Sequence, residues 1–256
     1  MKKLLTCGGT LVVLSIVFAN RTVAGGPAWG DVKGRIVFDG AEAPPAKVIN
    51  VDKDQNHCLS KGNLHTEDLV VNKENLGVRW VFVWLAPEKD APPLQVHPNL
   101  QKINKKQFEI DQPCCQFIPH ALALREGQEL VAKNSSPIAH NVHWIGGLKN
   151  PGANQIVPAG GSLPITDLKA DRSPVKFQCD IHGWMVAWVR VFDHPYYALT
   201  DADGKFEIKQ APAGNFRLII WQDNGWGPGL KNGQPITIEG GKMTDKGEIK
   251  FKPPPQ

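Results

Sequence analysis

The chain has 256 residues, of which 41% are hydrophobic and 21% charged, an ordinary globular composition that excludes a disordered polymer. Its formal net charge is +4, but three cations, Lys2, Lys3 and Arg21, and no acid lie in residues 1–24, which takes the balance of the remainder down to +1. So neutral a chain lacks the concentrated basic face of a general nucleic-acid or anionic-membrane binder, and the run Lys102-Ile-Asn-Lys105-Lys106 reads as a solvated loop.

Residues 1–24 join Lys2-Lys3 to an apolar run from Leu11 to Ala19 and small residues near Ala24. This is the pattern of a cleaved secretory signal, since a membrane span needs about 20 apolar residues. The mature protein is therefore expected to begin near Gly25, to be periplasmic or extracellular, and to have no stable membrane insertion. Cys7 precedes the apolar run, so no lipoprotein anchor is read. Export implies an oxidising compartment, and Cys58, Cys114 and Cys115 are the disulfide candidates. Adjacent cysteines rarely bridge each other, because the ring strains the peptide between them. Cys58 is expected to pair with Cys115, or as the alternative with Cys114, leaving one thiol over.

Short β-branched and aromatic runs separated by Gly, Pro, Asn and Asp turns recur along the chain, and helix-period patterns are scarce, so the class is all-β. Candidate strands span 32–38, 68–71, 78–85, 128–132, 175–179, 187–192, 205–208, 215–221 and 236–239. Their frequency, with 25 glycines and 21 prolines, suits β-sandwiches. Residues 86–99, with prolines at 87, 92, 93 and 98, form a linker or long loop, and the tail from Lys252 is expected to fray.

Chemistry concentrates in Cys179-Asp-Ile-His182-Gly-Trp-Met185 and the earlier His140-Asn-Val-His143. A thiolate, two imidazoles and a thioether are the ligands of a blue-copper site: a soft anionic sulfur serves both copper oxidation states, two imidazoles complete a trigonal plane, and a weak axial sulfur tunes the potential. With Cys179 at a strand end, ligands three and six residues on fold back around one ion, and the remaining His comes from a neighbouring strand. Only three methionines exist, so Met185 at this offset is not generic core filling. Zinc is the competitor, disfavoured because Met is a poor zinc ligand. A dinuclear copper centre would want a second Cys where Asp180, Ile181 and Gly183 stand. His140 and His143 on one strand point to opposite faces, so His140 is taken as the ligand and His143 as a packing or hydrogen-bonding residue. His57, His65, His97, His120 and His194 lack such context and read as ordinary histidines.

At these residues the chain resembles a cupredoxin, and among cupredoxins amicyanin, which has the same C-x-x-H-x-x-M spacing and a His-Asn-Val-His run. The upstream Phe117-Ile-Pro-His-Ala-Leu-Ala-Leu-Arg-Glu-Gly-Gln-Glu-Leu130 and Lys133-Asn-Ser-Ser-Pro-Ile-Ala-His140 are similar to that family's strand pair leading into the His loop. The likeness covers about Gln107 to Asp193. It implies a Greek-key β-sandwich, one type 1 copper held by His140, Cys179, His182 and Met185, and a supporting role for Asn141, whose amide ties the His loop to the Cys loop near the thiolate. It also implies that the edge of His182 lies at the surface as an electron port. Asp180, Ile181 and Gly183, which replaces a proline, change charge and stiffness beside the metal.

The segment Thr200-Asp-Ala-Asp-Gly-Lys-Phe206 followed by Ala211-Pro-Ala-Gly-Asn-Phe216 resembles the carboxypeptidase regulatory-like, transthyretin-like β-sandwich. Asp203-Gly204 suits a hairpin turn better than a calcium loop, which would need a later Glu. Gly30 to Gly40 looks like the first strand of such a module. The expected organisation is a signal peptide at 1–24, an N-terminal β region at 25–106, a cupredoxin domain at 107–193 and a regulatory-like module at 194–256, with the first and last β regions possible halves of one split sandwich.

The function expected is single-electron transport by an exported copper protein. Redox partner proteins would dock transiently near His182 and Trp184. A copper carrier or store, or a degenerate cupredoxin module without redox role, is the alternative. Nothing supplies a second, open copper position, so no enzyme is expected. Trp184 reads equally as docking patch or core, and Trp144 as core.

Overall fold

The computed structural model describes residues 28–103, 107–227 and 229–254. The expected signal segment, Cys7, Lys105 and Lys106 lie outside them. In chain order come β1 (Trp29–Phe38), the one-turn helix α1 (Gln55–Cys58), β2 (Phe82–Pro87), the one-turn α2 (Pro98–Gln101), β3 (Gln107–Ile110), β4 (Ala121–Arg125), β5 (Glu129–Lys133) and β6 (His140–Trp144). Then follow β7 (Ala153–Val157), β8 (Ser162–Ile165), β9 (Val175–Gln178), β10 (Val186–Phe192), β11 (Tyr197–Leu199), β12 (Lys205–Pro212), β13 (Gly214–Trp221), β14 (Gln234–Ile238) and β15 (Met243–Phe251). The protein is all-β, and no helix among the described residues is long and apolar enough to cross a membrane.

Four sheets make two bodies. One body pairs a three-stranded sheet, β12-β1-β15, with a four-stranded one, β11-β2-β13-β14. Strand β1 lies antiparallel to β12, setting Val32 opposite Ile208, and parallel to β15, setting Ile36 opposite Ile249. Those residues join Val83, Leu85, Leu218 and Ile220 in one buried core. The segments before residue 88 and after residue 196 thus share this core. The turn at Asp203-Gly204 is steric in origin: Gly204 has φ +75°, and a Cβ there would lie 2.2 Å from the Ile36 carbonyl oxygen.

The intervening residues form the second body, a five-stranded sheet β4-β10-β9-β6-β7 facing a three-stranded sheet β3-β5-β8. Its core gathers Leu124, Leu130, Val142, Phe177, Ala187 and Val189. Trp144 belongs to it, stacked on Phe177 at 6.1 Å between ring centroids.

Three strands are buried on both faces, and these join the bodies. In β2 the alternation sends Val83 and Leu85 to the first core and Phe82 and Trp84 to a third cluster; in β13 it sends Leu218 and Ile220 one way and Ile219 and Trp221 the other. Strand β10 contributes Ala187, Val189 and Val191 to its own core and turns Phe192 outward, with Trp188 packed against that cluster. Across the seam Trp188 meets Trp221 edge-on at 5.0 Å, and the buried Arg190 guanidinium lies 4.0 Å over the Trp84 ring. Burial pulls the Arg190 pKa down to about 10.

Two expectations about elements change. Residues 68–71 form no strand: Val71 makes only an isolated bridge to Val78. The strand expected from 78 starts at Phe82, because Trp80 takes a left-handed φ of 65° that interrupts an extended run.

Candidate metal centre

Strand β6 opens on His140, and its alternation buries His140 and Val142 while leaving His143 half-exposed on the other face. Its neighbour β9 pairs His143 with Gln178, which brings the next residue, Cys179, beside the start of the His strand. The loop from Cys179 to Met185 closes on itself: Met185 N donates to the His182 carbonyl at 2.9 Å and Cys179 N to the Met185 carbonyl at 3.2 Å. Met185 then leads directly into β10.

This backbone brings Cys179 Sγ to 3.9 Å from both His140 Nδ1 and His182 Nδ1, which are 3.0 Å apart. All three residues are buried, as is Met185 in the same core. Ligand bonds of about 2.0–2.1 Å to nitrogen and about 2.3 Å to sulfur in a trigonal plane would separate sulfur from nitrogen by about 3.8 Å and the nitrogens by about 3.5 Å. The spacing fits one ion held by two nitrogens and one sulfur.

The electrostatics favour the ligating forms. Burial first, then the neighbouring His182 and His57, pull the His140 pKa down to about 4, so its imidazole is neutral at pH 7. His182 Nε2 donates to Asp54 Oδ2 at 2.8 Å, which leaves Nδ1 as the bare nitrogen turned toward Cys179. His182 Nδ1 then accepts a hydrogen bond from His140 Nδ1, and His140 Nε2 is buried with no partner among the described residues. Metal binding releases the Cys179 proton, which in the thiol form points to Asn141 Oδ1 at 3.2 Å.

Asn141 clamps the two loops. Its Oδ1 accepts from Asp180 N at 2.7 Å and Ile181 N at 3.1 Å, and its Nδ2 donates to Asn154 Oδ1 at 2.7 Å. Asn154 in turn donates to Asp180 Oδ2 at 2.6 Å, and the Asp180 carboxylate receives His143 Nδ1 at 3.0 Å and Gln178 Nε2 at 2.9 Å. The His143 hydrogen bond leads the causes that hold the Asp180 carboxyl below its ordinary range.

The expected surface edge of His182 is corrected by the structure. His182 is 0% exposed, because α1 and the preceding Asp54 cover it. The cap is stapled by a Cys58–Cys115 disulfide with Cα atoms 5.3 Å apart, and the two sulfurs and a His182 ring nitrogen lie within 4.8 Å of one another. Trp184, half-buried, meets the His182 ring edge-on at 5.2 Å and donates to the Cys115 carbonyl at 3.0 Å. Cys114, left out of the bridge, is a free, half-buried thiol. Sequence reasoning missed Asp54 and placed His57 among ordinary histidines, and no local motif marks either one.

No protein-family profile and no curated protein matches the chain. Solved structures of cupredoxins do match part of it, about a third. A methionine-to-alanine mutant of amicyanin in the Cu(I) state is 17% identical, covering 36% of this chain and 87% of its own, with a TM-score of 0.31. A purple cupredoxin from Nitrosopumilus maritimus is 18% identical over 33% of this chain and 99% of its own, at 0.29. A copper-containing nitrite reductase from Thermus scotoductus SA-01 is 17% identical over 38% of this chain and 25% of its own, at 0.32.

Proposed function

We propose that this is an exported type 1 copper protein that carries single electrons between redox partners. The observation that carries the reading is the convergence of Cys179 Sγ, His140 Nδ1 and His182 Nδ1 inside a buried core beside Met185. Copper held there supplies a one-electron Cu(II)/Cu(I) couple. Cys179 supplies the anionic sulfur, His140 and His182 the two neutral nitrogens, and Met185 the axial thioether. Asn141 and the closed 179–185 loop hold these donors against movement when charge changes, which keeps reorganisation small. All four residues are at most 1% exposed. Export is read from the N-terminal pattern, and the first body, where the regulatory-like resemblance lies, would serve as a scaffold packed along the β10 seam.

Redox partner proteins docking near His182 and Trp184 would meet exposed Gly183 and the half-exposed Asp54 carboxylate, not the imidazole edge. Visible absorption and EPR of residues 25–256 after Cu(II) loading test the assignment. An intense blue thiolate band with narrow parallel hyperfine splitting, lost in Cys179→Ala, is expected. A colourless protein, or a spectrum indifferent to Cys179, overturns it.

The cap favours a second reading, a copper carrier, since a stapled lid over a metal ligand also suits controlled release. A shuttle keeps its copper through repeated redox cycles, whereas a carrier yields it to a chelator.

A further inference from the structure

Beside the closed cap, next to the Trp184 that packs on His182, lies a cavity that the electron-carrying reading leaves unused. It has a volume of about 300 Å³ and is walled by Phe117, Trp184, Met185 and Trp188, with the His120–Asp223 pair at one side and exposed His65 at its rim. It therefore reaches from solvent to a residue of the metal site. Its size is at the small end of ligand pockets and suits one substituted aromatic ring.

The His120–Asp223 pair is the second observation. His120 precedes β4 in one body and Asp223 follows β13 in the other, and their side chains are 7% and 8% exposed. His120 Nε2 and Asp223 Oδ2 are 3.0 Å apart. A buried pair of this kind at an otherwise aromatic seam is costly to desolvate, and replacing such a pair by apolar groups is often neutral or stabilising. Burial pushes the Asp223 carboxyl up while the His120 hydrogen bond opposes it. With Nε2–H donating to Asp223, His120 Nδ1 is the unprotonated ring nitrogen, and it makes no other side-chain hydrogen bond among the described residues.

We propose that this cavity binds a small phenol of the hydroquinone type as the reductant of the metal centre, its ring among the tryptophans and its hydroxyl on the His120–Asp223 pair. This rests on the electron-carrying reading. For each electron delivered, one phenolic O–H bond would break: the proton would pass to His120, the electron to a copper ion held by His140, Cys179, His182 and Met185 and from it to a redox partner protein, and the aryloxyl radical would leave. Two such radicals disproportionate to one hydroquinone and one quinone, so atoms and electrons balance. Chemistry selects this class: its ring stacks on indole, its oxidation releases a proton together with an electron, and the cavity offers an aromatic wall, a base and access to Met185 in one place.

The test has two arms. In the first, calorimetric titration of the metal-free chain, residues 25–256, with hydroquinone is expected to show saturable binding at one site. Asp223→Asn is expected to weaken it by about tenfold, the effect of losing one charge-assisted hydrogen bond. In the second, stopped-flow bleaching of the copper-loaded protein is expected to saturate with hydroquinone concentration, and to do so at the concentration that half-saturates binding. A folded metal-free protein that shows no saturable binding overturns the cavity assignment whatever the copper spectrum. Binding without saturable bleaching of a blue centre overturns the reductant role. A protein that binds hydroquinone but forms no blue centre overturns the electron-carrying reading, and the reductant role with it, while the cavity assignment stands.

Discussion

Asp54 Oδ2 sits 2.8 Å from His182 Nε2, joining residues 128 positions apart and fixing which nitrogen of His182 faces Cys179. The contact makes an irregular N-terminal segment part of the metal centre. It also moves the accessible approach to the site from the imidazole edge to the cavity beside Trp184 and Met185.

Removing that acceptor is expected to weaken metal binding. Asp54→Ala lets the His182 imidazole rotate and choose its other tautomer, and the loss of such an orienting partner lowers affinity by about 10–100-fold. Asp54→Asn keeps an oxygen acceptor and should stay near wild type. Copper competition titrations against a chelator measure both; equal affinities in Asp54→Ala and wild type would show that the contact is incidental.

The Cys58–Cys115 bridge spans 57 residues of sequence. Closing a loop of that length in the unfolded chain stabilises the fold by about 4 kcal/mol in the chain-entropy account. The Cys58→Ser, Cys115→Ser double variant should lose about that much in denaturant unfolding. It should also release copper to a chelator faster, because its cap is then held by the Asp54 contact and the packing of Val51 and Leu64 without a covalent tie. Unchanged release with reduced stability would separate the staple from the lid role.

Legibility followed sequence distance. Cys179, His182 and Met185 fall within seven residues, so their chemistry reads as one loop, and His140 announces itself through the His-Asn-Val-His run. Asp54 and the His120–Asp223 pair carry no such signal, since their partners are 128 and 103 positions away. The continuous apolar Phe82 to Leu85 reads as a buried strand, but not as one that serves two cores. Strands β3, β7, β8 and β11 went unread because three to five mixed residues, such as Gln107–Ile110, give a period of two too few repeats, and the nine-residue β15 went unread because its charged, mostly exposed residues around Gly247 carry little apolar alternation. The disulfide was legible because neighbouring cysteines strain a mutual bridge, and the structure pairs Cys58 with Cys115.

Asn141 is expected to matter to stability as well as to colour. Asn141→Ala removes the acceptor of two backbone N–H groups in the Cys loop, Asp180 N and Ile181 N. Leaving them unpaired costs about 2 kcal/mol, with partial rescue by water at the exposed Asp180. The loosened loop should shift and weaken the thiolate band. A variant with wild-type unfolding midpoint and band would remove Asn141 from the support of the centre.

Acid should destabilise the metal-free protein over a defined window. Burial, opposed by Asp193, pulls the His194 pKa down to about 4, and burial does the same to His140. Unfolded, both return to about 6.5. Between these values the unfolded chain binds more protons than the folded one, so stability falls as pH falls. The contribution of each neutral imidazole is complete above about pH 6.5, declines through the interval, and is gone below about pH 4. Each accounts for on the order of 2 kcal/mol. His194→Gln keeps an acceptor for Tyr196 N, which His194 Nδ1 now receives at 3.1 Å, but cannot titrate. Urea unfolding of metal-free wild type and variant at pH 7.5, 6, 5 and 4 should show the variant losing about half as much stability as the wild type. Parallel losses in the two proteins would mean that His194 is already charged in the folded state.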